Sequence, residues 1–172
     1  MRSTPERYGM LPDGAPRPDT VDGKQTVSAS DGDFTAKEAM KTSAFWLISF
    51  GHGSALLVVG ALMVHLIPHL VDRMDMSLGS AAIVVTVMTT TSIFGQVGGG
   101  FLGDRMDKRL ISAACMLAHT VALIGIAYAS SLLLIYVFAV IHGLAWGTRG
   151  PLMGAIRADY FGRKSLPTIM GF

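Results

Sequence analysis

Charged residues are scarce in this sequence, and almost none of them lie in its long apolar stretches. Asp, Glu, Lys and Arg make up 15% of the 172 residues, whereas hydrophobic residues make up 51%. A typical soluble domain has about a quarter of its residues charged, so this composition argues against one. The formal net charge of +2 is small, and it argues against a partnership with nucleic acid as well.

Cysteine is also nearly absent, and no constellation suited to catalysis is recognisable. Cys115 is the single cysteine, so no disulfide forms within the chain, and we interpret it as a small apolar core residue. No nucleophile with a neighbouring base and no phosphate-binding loop can be assembled, so we predict neither an enzyme nor a cofactor. His65 and His69 are spaced i, i+4, but Asp72 is the only close carboxylate. We therefore predict no metal site and leave open a proton-linked role at the outer mouth.

The sequence does contain apolar runs long enough to cross a membrane. A bilayer core of about 30 Å requires roughly 20 helical residues. Residues 43–70 and 78–102 meet that length without a single Asp, Glu, Lys or Arg. Residues 110–155 are interrupted only by Arg149 and are too long for one span, so we expect a turn near 129–131. The sequence thus predicts an all-α membrane protein with four transmembrane helices, at about 43–70, 78–102, 110–129 and 131–155.

Basic residues in the loops predict how the chain lies in the membrane. By the positive-inside rule, we expect the two loops that are rich in Lys and Arg to lie on the cytoplasmic side. Both termini are then cytoplasmic as well, and we expect the spans to lie in the cell (inner) membrane. Residues 1–42 are rich in Pro, Gly and polar residues, which predicts a largely disordered cytoplasmic linker. Residues 156–172 are interpreted as a cytoplasmic loop and the start of a further, truncated helix. The basic loop residues are Arg105, Lys108 and Arg109 after the second span, and Arg157, Arg163 and Lys164 after the fourth.

Glycines recur at helical spacing in the second and fourth spans. Small residues four positions apart share a helix face and permit a neighbouring helix to approach closely. We therefore predict packing seams along both helices. They comprise Gly95, Gly99 and Gly103 in the second span, and Gly143 and Gly147, continued by Gly150 and Gly154, in the fourth.

Polar residues inside the spans are candidates for binding a substrate. His142, Trp146 and Arg149 share one face of the fourth span, which suggests a cavity wall where Arg149 holds a carboxylate and Trp146 packs against the ligand. The alternative is that Arg149 snorkels to the cytoplasmic surface. In the second span, Gln96 lies on one side with Thr89 and Ser92. Hydrogen bonding between helices is the expected role of those hydroxyls, with substrate contact as the alternative.

The stretch GFLGDRMDKR joins the second and third spans. Its charges are consistent with a simple topology signal, but the pattern also resembles the G-x-x-x-D-R-x-x-[KR]-[KR] signature of the major facilitator superfamily. Asp107 stands where that family usually has Gly. The resemblance implies a conformational-switch motif made of Gly100, Asp104, Arg105, Lys108 and Arg109.

Other segments resemble the same family more narrowly. The stretches KEAMKTSAFWLISFG, HLIPHL, IRADYFGRKS and PERYGMLPDG are similar to bacterial transporters of the monocarboxylate and oxalate/formate antiporter type. That resemblance implies helices seven to ten of a twelve-helix fold, and so a fragment from its carboxyl-terminal half. It also implies secondary active transport of small organic anions such as monocarboxylates by alternating access. The implied partners are the lipid bilayer, the anion and the remaining helices of a parent transporter. Related transporters often have Arg near Gln96, so a doubly charged substrate such as oxalate is not expected.

Two other classes of membrane protein are alternatives. A small four-helix exporter acting as an oligomer would need an acidic residue in its first span, and residues 43–70 contain none. A non-transport membrane scaffold would have equal use for packing glycines and loop charges, and the family signature alone argues for transport.

Overall fold

A computed structural model describes residues 33–163 and 165–171, and within those residues the regular structure is entirely α-helical. Four helices are long and apolar enough to span a membrane, which confirms the predicted fold class. The disordered linker was predicted for residues 1–42, of which 1–32 lie outside the described residues, whereas 33–42 include a short helix at Ala36–Ala39. In chain order the helices are α1 (Ala36–Ala39), α2 (Ser43–Met74), α3 (Leu78–Gly103), α4 (Lys108–Tyr128), α5 (Leu132–Phe161) and α6 (Leu166–Met170).

Each long helix begins at a residue whose side chain accepts a hydrogen bond from the first turn. Such caps satisfy backbone N–H groups that have no partner inside the helix. The caps are Thr42 for α2, Ser77 for α3, Asp107 for α4 and Ser131 for α5. The connections between the long helices are three or four residues long in each case. Successive spans are therefore antiparallel, but α3 contacts α4 very little and packs mainly against α5.

Two of the spans run further than the sequence indicates. Helix α2 continues to Met74, and α5 continues to Phe161, six residues beyond the expected end at residue 155. The sequence predicts that the fourth span ends at residue 155 because charged residues begin just after it. Arg157, assigned to a cytoplasmic loop, in fact lies in α5 and is only 4% exposed. The helix continues because neighbouring helices bury this side chain, which a hydropathy pattern cannot detect.

Helix α5 is the centre of the bundle. It contacts α2, α3 and α4, and it buries a larger share of its span than any other helix of the described part. Large apolar side chains such as Leu57, Val64, Val97 and Leu133 remain exposed on the outer helix faces. Exposed apolar faces of this kind are typical of helices that contact lipid or further helices.

A short segment before α2 closes one end of the bundle. The Phe34 N–H donates to the carbonyl of Phe161 at 3.0 Å, and the Arg163 N–H donates to the Asp33 carboxylate at 3.1 Å. Between those two bonds lies Gly162, whose φ of +77° is a backbone conformation that favours glycine. The end of α5 is thus held by residues that precede α2 in the chain.

Candidate functional site

Close contact between α3 and α5 positions the candidate residues of α5. A Cβ atom on Gly95 would overlap the carbonyl oxygen of Leu144, and one on Gly99 would overlap that of Thr148. The Thr148 hydroxyl donates to the Gly95 carbonyl at 3.2 Å across the same interface. Backbones can approach this closely only because the side chains are absent.

Three further predicted glycines lie in this α3–α5 interface, and two do not. Gly103 faces the Leu152 side chain, Gly143 faces Met88 and Thr91, and Gly147 faces the backbone of Ser92. At Gly150 and Gly154, expected to continue the α5 seam, no neighbouring atom lies within 4 Å of the position that a Cβ would occupy. The seam therefore ends near Gly147, and the face beyond it is open in the described residues.

Arg149 is buried and bonded to α2. It is 4% exposed, and its Nη2 lies 3.2 Å from the carbonyl oxygen of Gly51 and 2.9 Å from Nδ1 of His52. A guanidinium group carries only donors, so His52 accepts through Nδ1 and carries its own proton on Nε2. The side chain points across the bundle to α2, which does not support the snorkelling alternative.

A cavity of about 250 Å³ lies beside the Arg149 guanidinium, between α2, α4 and α5. Its charged lining groups are both cations, Arg149 and Arg109. The Ser112 hydroxyl also lines it and has no hydrogen-bond partner among the described residues. Most of the remaining lining is apolar, including Leu47 and Met153. The chemistry of this cavity suits a small anion with an apolar part.

Arg157 adds a second buried cation near this cavity. It is 4% exposed and lies just over two turns beyond Arg149 on α5, and its side chain makes no hydrogen bond or ion pair with residues 33–163 and 165–171. The positive charge around the cavity is therefore not compensated by a carboxylate of the described chain.

Trp146 and Gln96 lie together, but away from Arg149. They line a groove of about 600 Å³ between α3 and α5, with Gly147 and Pro151. The expectation that Trp146 packs against a ligand held by Arg149 is therefore not supported by this arrangement. Residues on one helix face can meet different neighbours, because more than one helix packs against that face.

His142 does not face the Arg149 cavity either. It is fully buried against His119 of α4, with Nδ1 atoms 3.2 Å apart and ring centroids 4.6 Å apart. Nothing in the sequence indicated a pairing of His142 with His119. The contact joins two helices through polar rings in an otherwise apolar interior.

The hydroxyls of α3 bond within their own helix. Thr86, Thr89 and Ser92 donate to carbonyls three or four residues earlier in α3, so the expected hydrogen bonding between helices is not found for them. Such bonds satisfy the hydroxyl locally and leave no donor for a neighbour. Thr148 of α5, which the sequence did not single out, makes the interhelical bond.

The charged motif lies at the end of α3 and the start of α4. Asp104 is the C-cap of α3, and its N–H donates to the carbonyl of Gly100. The Arg105 guanidinium lies 3.5 Å from the centroid of the Phe101 ring. Lys108 pairs with Asp159 at 2.7 Å, and the Arg109 guanidinium lies 5.0 Å from the centroid of the Tyr160 ring. Two of the five motif residues thus contact the end of α5.

Several site residues were missed by sequence reasoning. His52 could have been noticed as a polar residue between two glycines, Gly51 and Gly53, inside an apolar span. Ser112 and Tyr160 carry no comparable signal. Among the described residues, no group of three His, Cys, Asp or Glu side chains lies close enough to hold a metal ion.

Comparison with known proteins identifies a family over most of the chain. Residues 16–172 match the family model described as Major Facilitator Superfamily. Neither a search of curated proteins nor a search of solved structures gave a match.

Proposed function

Because this chain belongs to the major facilitator superfamily, we propose that it contributes helices seven to ten of a twelve-helix transporter for small organic anions such as monocarboxylates. Family membership supports secondary transport in general and a multi-pass membrane protein. The organic-anion substrate, the alternating-access mechanism and the cytoplasmic position of both chain ends in an inner membrane are our proposals. The longer protein that would contain these helices is called the parent transporter below.

The observation that carries the substrate proposal is the buried charge of Arg149. A buried cation is costly unless an anion or several strong acceptors compensate it. The acceptors of Arg149 are the neutral Gly51 carbonyl and the neutral His52 ring. In the part of the chain that the structure describes, the one ion pair is that of Lys108 with Asp159. A bound carboxylate would supply the missing negative charge.

The cavity beside Arg149 suits a small carboxylate in size and lining. Arg can bind both oxygens of a carboxylate through parallel hydrogen bonds, which Lys cannot do. The unpaired Ser112 hydroxyl offers a further hydrogen bond, and the apolar lining offers space for an alkyl group. Ligand pockets for drug-sized molecules are about 300–1,000 Å³. A cavity of about 250 Å³ therefore favours a smaller ligand.

Binding of labelled lactate, formate and oxalate to the purified parent transporter tests this role. Arg149→Ala should weaken monocarboxylate binding about tenfold to a hundredfold, since a hydrogen bond to a charged group contributes about 1.5–3 kcal/mol. Arg149→Lys should weaken it less, because the charge remains. Arg73→Ala is a matched control, since Arg73 lies near the end of α2, outside the cavity. Equal affinities in all variants would show that Arg149 does not hold the substrate.

The structure also separates two candidate binding surfaces, which a second pair of variants distinguishes. His52→Phe removes the ring that accepts from Arg149, so it should weaken binding by misplacing the guanidinium. Trp146→Phe changes the groove that contains Gln96, so it should leave affinity nearly unchanged. A large loss with Trp146→Phe and none with His52→Phe would assign the substrate to the α3–α5 groove instead.

The proposal that the helices belong to a larger protein has its own test. Sequencing the gene on both sides of this region should reveal about six further helices before it and two after it, as the twelve-helix fold requires. A gene that encodes these four spans without neighbouring transporter sequence would contradict the proposal and favour a scaffold or an oligomeric exporter.

A further inference from the structure

The buried contact between His119 and His142 has a defined proton content. Two imidazole nitrogens 3.2 Å apart form a hydrogen bond only if one carries a proton and the other offers a lone pair. The donor ring then has no proton on Nε2, and the acceptor ring carries its proton there. Both Nε2 atoms lie buried without a partner among the described residues. The neutral pair thus retains one free basic nitrogen.

We propose that His119 and His142 form a binding site for a single proton, and that a proton there is linked to an anion beside Arg149. The added proton binds Nε2 of the donor ring and converts that ring to an imidazolium. The hydrogen bond between the Nδ1 atoms then becomes charge-assisted and stronger. This stronger bond offsets part of the cost of burying a charge, although the new Nε2–H would have no acceptor among the described residues. The linkage, unlike the proton site itself, rests on the proposed function.

The ionisable groups around the pair explain why the two ligands would be linked. Helix α3 contains no ionisable side chain, and α4 presents Cys115 one turn from His119. Helix α2 presents His52, which bonds to Arg149 and not to the pair. Arg149 lies two turns from His142 on α5 and is the nearest formal charge to the pair on that helix. In the described residues no carboxylate faces the pair.

Arg149 opposes a proton on the histidine pair, since like charges repel more strongly in an apolar interior than in water. A carboxylate beside Arg149 would cancel that repulsion. Anion binding would then promote proton binding, and by thermodynamic reciprocity a proton would promote anion binding by the same factor. The site is consistent with movement of the anion and the proton together.

Nitrogen-15 NMR of histidine-labelled parent transporter tests the proton site without any anion. The spectra should show one Nδ1-protonated and one Nε2-protonated neutral ring at high pH, and the pair should take up a single proton as pH falls. A pair that binds no proton down to the pH at which the protein unfolds would overturn the proton site. Independent titration of two rings, with two protons taken up, would also overturn it.

Proton uptake in weakly buffered solution tests the linkage. Addition of lactate to the protein should take up as much as about one proton per anion, and lactate affinity should fall about tenfold per pH unit where the free pair is deprotonated. The double variant His119→Asn with His142→Asn keeps an amide hydrogen bond at the Nδ1 positions but cannot titrate. It should bind lactate without proton uptake and without that pH dependence. His65→Asn is measured in parallel, since the sequence leaves open a proton-linked role for this exposed histidine of α2. Proton uptake that is lost in His65→Asn and kept in the double variant would overturn the linkage.

The outcomes separate the inference from the proposed function. Lactate binding that depends on Arg149 but takes up no proton would overturn the linkage and leave the substrate proposal intact. Protonation of the pair in a protein that binds none of the anions would support the proton site, and would overturn both the substrate proposal and the linkage. If the double variant does not fold, His142→Asn alone is measured in the same way, because it also removes the shared proton.

Discussion

Lys108 Nζ lies 2.7 Å from Asp159 Oδ2, so the first residue of α4 is joined to the last turn of α5. The next residue along, Arg109, places its guanidinium over the Tyr160 ring. Two basic residues that the sequence assigns to a switch motif therefore contact two neighbouring residues of another helix. At this end of the bundle, α4 and α5 are linked by charge as well as by packing.

The Lys108–Asp159 pair is expected to contribute little to stability. Its side chains are 28% and 58% exposed, and exposed ion pairs contribute about 0.2–1 kcal/mol. Lys108→Met and Asp159→Asn should each lower the unfolding free energy by no more than that, and the effects should not add. A double-mutant cycle from unfolding in detergent measures the coupling. A loss of several kcal/mol in either variant would mean that the pair is part of a larger buried network.

The glycine interface between α3 and α5 should tolerate no methyl group. Gly147→Ala would overlap the Ser92 carbonyl, and overpacking of this kind costs about 1–3 kcal/mol. Gly150→Ala, three residues later, meets no atom within 4 Å and should be neutral or slightly stabilising, since Ala is the better helix former. Thermal unfolding of both variants in one detergent tests the difference. Similar unfolding temperatures would show that the two helices separate without cost.

Gly162 should be required at the end of α5. Its φ of +77° disfavours other residues, and a Cβ there would overlap the Asp33 carboxylate. Gly162→Ala should destabilise the protein by about 1–3 kcal/mol because such backbone conformations are strained in other residues. Gly171→Ala is the control, since its Cβ would make only ordinary contacts. Equal stability of the two variants would mean that the segment before α2 does not hold this end of the bundle.

Asp104 should matter for transport more than for folding. It is exposed, and its N–H caps α3 through a backbone bond that Asn would keep. The switch role that the family resemblance implies predicts that Asp104→Asn slows anion uptake by the parent transporter about tenfold or more, because a hydrogen bond from this carboxylate to another part of the parent would lose its charge. Asp107→Asn is the control, because Asn also caps helices well. Uptake rates normalised to membrane expression measure the effect, and an unchanged rate would reduce the motif to a topology signal.

Much of the fold could be predicted because it depends on local properties of the chain. Helix length against bilayer thickness determines that there are four spans, and their apolar composition places them in a membrane. Helix α4 ends at Tyr128 and α5 begins at Leu132, on either side of the residues where the sequence places a turn. Glycine spacing identifies Gly95 and Gly147 as members of a small-residue face, since the helical repeat alone decides which residues share a face.

The neighbours of each face were decided only by the tertiary structure. His52 and Arg149 are 97 residues apart, and His119 and His142 are 23 apart, so no spacing rule joins them. Helical spacing places His142, Trp146 and Arg149 on one side of α5, yet each residue meets a different neighbour. Helical periodicity sets the direction of a side chain around its own axis, whereas the rotation and crossing of packed helices decide what lies opposite. The cavity beside Arg149 is lined by residues of α2, α4 and α5, so it forms only when these three helices pack together.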